Sequence, residues 1–362
     1  MEKVKDWRLS TNQQEVLEPR LDEANEDLVY RSLRNYWHPV AYTSDVGNEP
    51  LAFQLLDTQL VMVRVDGEVH VYNDLCAHRG TALSLGCVTE RGTLRCPNHG
   101  WEYDVDGLCM RIPQRQDLVE QLSPRILKFK SVEQGGLVWA CLEDEPRFPV
   151  PRFPHYDDDS FDKIAIPEPE WGCSAVRRTE NYTDLSHFAI VHDGLLGDVN
   201  HPEVPEHRTW REDDGVLRME LLEAQLEPTA TAKNAAISVS DSLAEIMKQW
   251  HIYMPLTVLL ETTQPSGEQY VLFFHPTPVS RHRTANFTIA GRNFGDANKL
   301  QSEVVEFGQE VYRQDRPIVE SQRPNSVPVD LSREIYLRDA EALAVQYRRW
   351  MIELATEFAD SD

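Results

Sequence analysis

The sequence predicts an α+β protein, with an all-β unit first and a unit of alternating helices and strands behind it. Three observations carry this. Short β-branched runs punctuated by Gly and Asp fill the chain from Trp37 to about Leu142. A proline seam follows, at Pro146, Pro149, Pro151 and Pro154, with Pro167 and Pro169 further on. Beyond it, helical segments alternate with strands, and the chain closes on a long amphipathic stretch.

Taken in order, residues 1–35 form an expected N-terminal helical extension, because residues 12–35 are acidic and helix-prone. Residues 36–150 are the expected all-β domain. Leu60-Val61-Met62-Val63-Arg64-Val65 and Val69-His70-Val71-Tyr72 flank Asp66-Gly67, and Asp-Gly between alternating apolar runs signals a hairpin. A second hairpin is expected around Tyr103 to Gly107, and Gly135-Gly136 introduces Leu137–Ala140, the last strand of the block. Residues 151–362 form the expected second domain. Glu180 to His192 suits a helix with Gly194 placed to stop it, while 269–274 and 285–290 read as strands. The terminal helix is expected from Ser332 to Phe358, with Glu357 to Asp362 frayed.

Composition narrows the function class. A net charge of −24 argues against nucleic acid and anionic membrane surfaces, which favour basic patches. No apolar stretch approaches the roughly 20 residues of a membrane span, and Met1–Trp7 lacks the apolar core of a signal peptide. The expected compartment is the cytoplasm. Cys87, Cys109, Cys141 and Cys173 are scattered singly and read as small buried hydrophobes.

The other two cysteines carry chemistry. Cys76-Ala-His78 is followed, after seventeen residues, by Cys96-Pro-Asn-His99. Two thiolates and two imidazoles are what a Rieske [2Fe–2S] centre needs, one iron held by two Cys and the other by two His. The same residue types can hold structural zinc, but zinc ribbons and fingers usually pair like with like at each knuckle. Here each half offers one Cys and one His, as two loops gripping a dinuclear cluster require. Gly80 and Gly100 let the backbone turn tightly so that N–H groups can face the sulfides.

A second constellation lies past the seam. Asn181, Asp184 and His187 recur at i, i+3 and i+6, on one helical face, and His192 follows His187 by five. Both histidines reach one metal only if the helix holds a π-type turn or ends between them. Two His and one carboxylate form the facial triad of non-haem Fe(II) oxygenases. Asp184, one turn from His187, is expected to accept an imidazole N–H rather than to ligate. The third ligand stays open on spacing alone, among Glu310, Asp315 and Glu320. A one-electron carrier joined to a two-His helix is a minimal kit for reductive oxygen activation.

The chain resembles the terminal oxygenase subunit of Rieske non-haem iron oxygenases. The matching residues are Cys76-x-His78-Arg-Gly80, Cys96-Pro-Asn-His99-Gly-Trp101, Asn181-x-x-Asp184-x-x-His187-x4-His192 and the segment 314–322. One position departs, Asn98 standing where the family is usually aromatic. The resemblance implies a β Rieske domain followed by a catalytic domain whose antiparallel sheet is flanked by helices. It implies a mononuclear Fe(II) with Asp315 as third ligand, Asn181 and Asp184 as catalytic residues, and O2 as co-substrate. Electrons would come from NAD(P)H through a ferredoxin or flavin reductase. Trp37-His38-Pro39-Val40 and Glu320-Ser321-Gln322 lean towards the branch of vanillate and dicamba O-demethylases and methylxanthine N-demethylases.

That branch implies a head-to-tail homotrimer in which one subunit's cluster feeds its neighbour's iron, with Asp184 bridging the two. The expected reaction is hydroxylation or oxidative N- or O-demethylation of a small aromatic or heterocyclic substrate. The alternatives are cis-dihydroxylation on the same architecture and a non-catalytic electron-transfer or zinc protein. Arg79, Arg91, Arg95, Arg111 and Arg115, near the ligand loops, are candidates for steering an acidic ferredoxin. Pocket candidates are Phe188, Leu195, Leu196, Trp250, Tyr253, Leu259, His275 and Phe307.

Overall fold

The computed structural model describes residues 23–224, 245–328, 330–337 and 339–361. Helix α1 (Glu23–Ser32) runs into a 3-10 turn over Leu33–Asn35. The expected extension is helical there; residues 1–22 of it lie outside the described residues. Strands β1 (His38–Tyr42), β2 (Leu51–Leu55), β3 (Thr58–Val65) and β4 (Glu68–Asn73) follow. Then come β5 (Cys87–Val88), β6 (Leu94–Arg95), β7 (Glu102–Tyr103), β8 (Cys109–Arg111), β9 (Lys128–Gln134) and β10 (Leu137–Cys141). They make a six-stranded sheet, β1-β10-β9-β4-β3-β2, and a four-stranded one, β5-β6-β7-β8. Asp66 (φ 51°) and Gly67 (φ 87°) close the β3–β4 hairpin, and Gly135 and Gly136 close β9–β10, also at positive φ. Positive φ at both central residues matches the twist of the flanking strands.

After the seam come β11 (Asp162–Ala165), helix α2 (Ala175–Thr183) and the single turn α3 (Phe188–Val191). Six more strands follow: β12 (His207–Arg211), β13 (Val216–Ala224), β14 (Glu245–Tyr253), β15 (Thr257–Thr263), β16 (Gln269–Ser280) and β17 (Arg283–Arg292). With β11 they form one antiparallel sheet, β11-β17-β16-β15-β14-β13-β12. Helices α4 (Glu306–Ser321) and α5 (Ala342–Ser361) complete the described chain. The two strands expected over 269–274 and 285–290 are the neighbours β16 and β17, with Phe273 opposite Ile289.

The two large sheets share a core. Leu55, Leu60, Met62 and Val138 of the first pack in one cluster with Leu217, Ile252, Val258 and Phe274 of the second and with Leu343, Tyr347 and Met351 of α5. Each such side chain contributes about 1.5–3 kcal/mol on burial. Backbone bonds tie the halves as well: Leu56 N–H donates to Pro278 O at 2.8 Å and Asp57 N–H to Val279 O at 3.0 Å.

The terminal helix departs from expectation. It begins at Ala342, and Leu331–Arg333 is a separate 3-10 turn. Glu334 between them is extended (φ −132°, ψ 163°) because its carboxylate is taken by Arg177 at 3.4 Å and Arg348 at 2.6 Å. Tertiary ion pairs override helix propensity here. Nor is Glu357 frayed: it lies within α5 and binds Arg147 at 2.6 Å.

A buried relay joins β1 to β16. The His38 Nε2–H donates to Leu33 O (2.8 Å), its Nδ1 accepts from His275 Nε2–H (3.2 Å), and His275 Nδ1 accepts from Thr257 Oγ1–H (2.7 Å). Every role is filled only if both rings are neutral. Burial pushes His38 down to about 4 and His275 well below its ordinary value. A histidine with a lowered folded pKa stabilises fully above its unfolded value near 6.5 and loses that stability as pH falls towards 4. Between pH 7 and 5, His38 alone should cost about 2 kcal/mol. Denaturant midpoints across that range check this, and a flat profile between pH 6.5 and 5 would refute it.

Candidate functional site

Two quasi-equivalent loops carry the Cys/His quartet, one between β4 and β5 and one between β6 and β7. In each, the Cys N–H bonds the carbonyl five residues on (Cys76 to Thr81, 2.9 Å; Cys96 to Trp101, 2.8 Å). The Cys carbonyl accepts the N–H of Gly80 (2.8 Å) or Gly100 (3.1 Å), both at positive φ that only glycine adopts cheaply. Cys76 and Cys96 are buried and near enough to interact. The His78 and His99 rings meet edge-on at 4.5 Å, and Trp101 stacks on His78 at 4.6 Å.

The quartet thus divides into a sulfur pair and an imidazole pair. A tetrahedral zinc site would draw all four donors together. Yet among the described residues the one group of three or more such donors converging within 4.8 Å lies elsewhere. The pairing fits a dinuclear cluster and not a single ion. The N–H groups of Asn98 and His99 reach the Cys96 sulfur, and Tyr103 Oη sits 3.1 Å from Cys76 Sγ, so donors already surround the sulfurs. Asn98 Nδ2, at the position where this chain departs from the family's usual aromatic residue, donates to Thr81 Oγ1 (3.1 Å) and ties one loop to the other.

The converging group is His187, His192 and Asp315. The expected helix over 180–192 is not continuous: α2 ends at Thr183, and Asp184 turns extended (φ −94°, ψ 110°). Asp184 Oδ1 accepts Ser186 N–H at 2.8 Å, an Asx turn that starts α3. The break brings the two imidazoles to 5.1 Å. Asn181, Asp184 and His187 therefore do not share one helix face, but Asp184 Oδ2 still lies 3.3 Å from His187 Nδ1.

Asp315 reaches in from α4, its Oδ1 3.0 Å from His192 Nε2 and 3.5 Å from His187 Nε2. That buried oxygen has no hydrogen-bond donor. Two imidazoles and a carboxylate oxygen with no donor among them are lone pairs awaiting a cation. Burial works to raise the Asp315 pKa, and the charge of the buried Arg178 opposes it.

Several residues around the triad were not anticipated. Gln314 Oε1 accepts from His192 Nδ1–H at 2.7 Å, fixing the tautomer that leaves Nε2 to ligate, and Glu310 holds Gln314 at 3.0 Å. Arg178, fully buried, donates to Asn181 Oδ1 (2.6 Å), pairs with Glu168 (3.4 Å) and lies 3.9 Å over the Trp171 ring. Asn181 Nδ2 is 3.5 Å from His187 Nε2.

The triad stands in a wall between two spaces. On one side is a chamber walled by Tyr182, Phe188, Trp250, Phe307 and Tyr312. On the other is an open polar cleft lined by Asp184, Glu180, Arg177 and Glu341. Of the pocket candidates, Phe188, Leu196, Trp250 and Phe307 line the chamber. Leu195, Tyr253, Leu259 and His275 do not. Strand alternation explains three of these: even-numbered residues of β14, β15 and β16 face the chamber, and Tyr253, Leu259 and His275 are odd. The arginines near the cluster loops are partly neutralised: Arg91 and Arg111 share Glu102, and Arg115 pairs with Asp117.

Residues 36–128 match the Rieske [2Fe-2S] domain family, and residues 171–357 match the Vanillate O-demethylase oxygenase C-terminal domain family. The chain is 32% identical to methylxanthine N1-demethylase NdmA of Pseudomonas putida, with 89% of each chain covered. It belongs to the Rieske non-haem iron oxygenases. Methylxanthine N3-demethylase NdmB of the same organism is 31% identical over 94% of this chain and 93% of that one. The solved structure of NdmA with caffeine superposes with a TM-score of 0.81, covering 92% of this chain and 94% of that one at 32% identity. Dicamba monooxygenase bound to dicamba shares the fold at 20% identity, TM-score 0.75, over 91% of this chain and 99% of that one. As a member, this oxygenase is an enzyme whose cofactors are a Rieske [2Fe–2S] cluster and a mononuclear iron, fed with electrons by a reductase or ferredoxin.

Proposed function

We propose that the protein is the terminal oxygenase of an oxidative demethylase acting on an N- or O-methyl group of a small heterocyclic or aromatic substrate. Cys76, His78, Cys96 and His99 hold the cluster, and His187, His192 and Asp315 hold the iron. The observation that carries the reading is the convergent triad opening onto an apolar, aromatic-walled chamber, in a chain whose near full-length relatives are named as N-demethylases. One-electron transfer by the cluster and O2 activation by the iron are the chemistry those groups supply when bound. The balance is one methyl C–H, O2, two electrons and two protons in, and a hydroxymethyl group and water out. The hydroxymethyl group then leaves as formaldehyde.

The chain's own residues do the rest. Aromatic walls exclude water and hold a flat substrate beside the triad. Gln314 and Asp184 set the imidazole orientations. The acidic chain would be expected to take electrons at the exposed loops around His78 and His99. Incubation of the reconstituted enzyme with N-methyl heterocycles and aromatic methyl ethers tests the reading: formaldehyde release in step with NAD(P)H consumption supports it. A cis-diol from a ring substrate, without formaldehyde, overturns it in favour of dihydroxylation.

The assembly we propose is a head-to-tail homotrimer in the cytoplasm. It is supported by the polar cleft behind the triad, rimmed by the exposed Ile335 and Ile318, and by six free cysteines. No helix among the described residues is long and apolar enough to cross a membrane. Asp184, on that cleft, would join His187 to a cluster histidine of the neighbouring subunit. Asp184→Asn should keep both metals and lower turnover by about 10–100-fold or more. Full activity in that variant would sink the bridge.

A further inference from the structure

The chamber floor carries a polar row that the metal chemistry does not use. Three rows cross β14, β15 and β16 on its face. Ile252, Val258 and Phe274 lie in register, then Trp250, Leu260 and Leu272, then Lys248, Thr262 and Tyr270. Tyr182 of α2 stacks on Phe274 at 4.1 Å, so α2, whose end leads to His187, covers the first row. The second row is apolar except for the Trp250 indole N–H, which is buried. The third begins two residues further along each strand, roughly 7 Å from the second.

Beside the buried Trp250 indole N–H, which has no partner among the described residues, the polar inventory of the chamber leaves two hydroxyls without work. Asn181 is held by Arg178, and Tyr182 Oη donates to Tyr312 Oη (3.3 Å), which donates to Thr288. Lys248 is engaged by a partner of its own. Thr262 (4% exposed) and Tyr270 (5% exposed) line the chamber, and their hydroxyls make no hydrogen bond among the described residues. They are directly opposed across β15 and β16, which sets their Cβ atoms about 4.5–5.5 Å apart on one face. Two adjacent hydroxyls that line the chamber without partners among the described residues can hydrogen-bond to what enters it.

We propose that Thr262 and Tyr270 are the specificity-determining pair of this oxygenase, donating hydrogen bonds to the edge of the substrate remote from its methyl group. This rests on the demethylase reading above and names the substrate class: a planar N-methyl heteroarene with a ring carbonyl or pyridine-type nitrogen on that edge. Hydroxyl donors satisfy such an acceptor. The apolar middle row accepts the ring face, and the methyl edge is directed towards the triad.

The test uses the iron-loaded enzyme and two probes, 1,3-dimethyluracil, which has ring carbonyls, and 1-methylindole, which has no such acceptor. Binding is read by calorimetry for the wild type, Thr262→Val and Tyr270→Phe, with formaldehyde measured in parallel. The wild type should prefer dimethyluracil. Each variant should lose roughly tenfold in affinity for it while binding 1-methylindole as before, which also shows that the variant is folded. Equal loss of both probes, unchanged dimethyluracil binding, or a wild type without preference overturns the proposal. The intended binding pattern with no formaldehyde from any methyl compound supports the pair and overturns the demethylase reading instead.

Discussion

Asp315→Ala is expected to abolish the mononuclear iron while leaving the cluster in place. Asp315 supplies the only anionic donor of the triad, and its free Oδ1 is the atom both Nε2 groups face. Without it, two neutral imidazoles remain, a set too weak to hold a divalent ion against buffer. Turnover should fall by about 10³ or more, as when an essential group is removed from a concerted site. Metal analysis should show loss of the mononuclear iron only, and the reduced protein should keep its Rieske EPR signal, because the quartet sits on different loops. Asp315→Ala with wild-type iron content would remove Asp315 from the ligand set.

Arg178→Met should be the most destabilising single substitution near the site. Both side chains of the Arg178–Glu168 pair are without solvent exposure, and removing one partner of such a pair typically costs about 3–5 kcal/mol. Burial already pushes Glu168 up to about 7 against the pull of Arg178; without the guanidinium it rises further. A carboxyl whose folded pKa is raised stabilises at low pH and loses that stability as pH rises through the folded value. The variant should therefore gain stability from pH 8 to pH 6. Adding Glu168→Gln should recover much of the loss and flatten that dependence. Urea midpoints at several pH values read both effects, and a small loss indifferent to pH would refute the uncompensated charge. Asn181 also loses its 2.6 Å donor, so activity should drop in the double variant even where stability returns.

What the sequence disclosed follows from how locally each feature is encoded. Asp66-Gly67 and Gly135-Gly136 announced their hairpins because the turn itself demands those residues. The quartet was legible because its ligands sit two and three residues apart on tight loops. The pair His187 and His192 was legible with its difficulty attached, and the break at Asp184 resolved it.

Other features depended on contacts between distant segments. The late start of α5 reflects Glu334 meeting Arg177 and Arg348. Gln314 was in view beside Asp315, but its bond to His192 spans 122 positions. Arg178 looked like an ordinary helix residue until Glu168 and Trp171 enclosed it. The pocket residues failed or succeeded by strand phase: Trp250 is in phase with the chamber, whereas Leu259 and His275 point to the opposite core. A count of alternate residues along 269–274 would have found Tyr270 and Leu272.

The wall position of the triad has a consequence for how this enzyme can change. The aromatic chamber opens on one side of the triad and the carboxylate-rich cleft on the other. In the proposed assembly, fuel and feedstock would thus use separate doors. A lineage, or an engineer, can remodel the sheet floor to admit a new molecule and leave the electrical connection untouched. One redox supply could in this way serve many oxygenases that differ only in what their floor accepts.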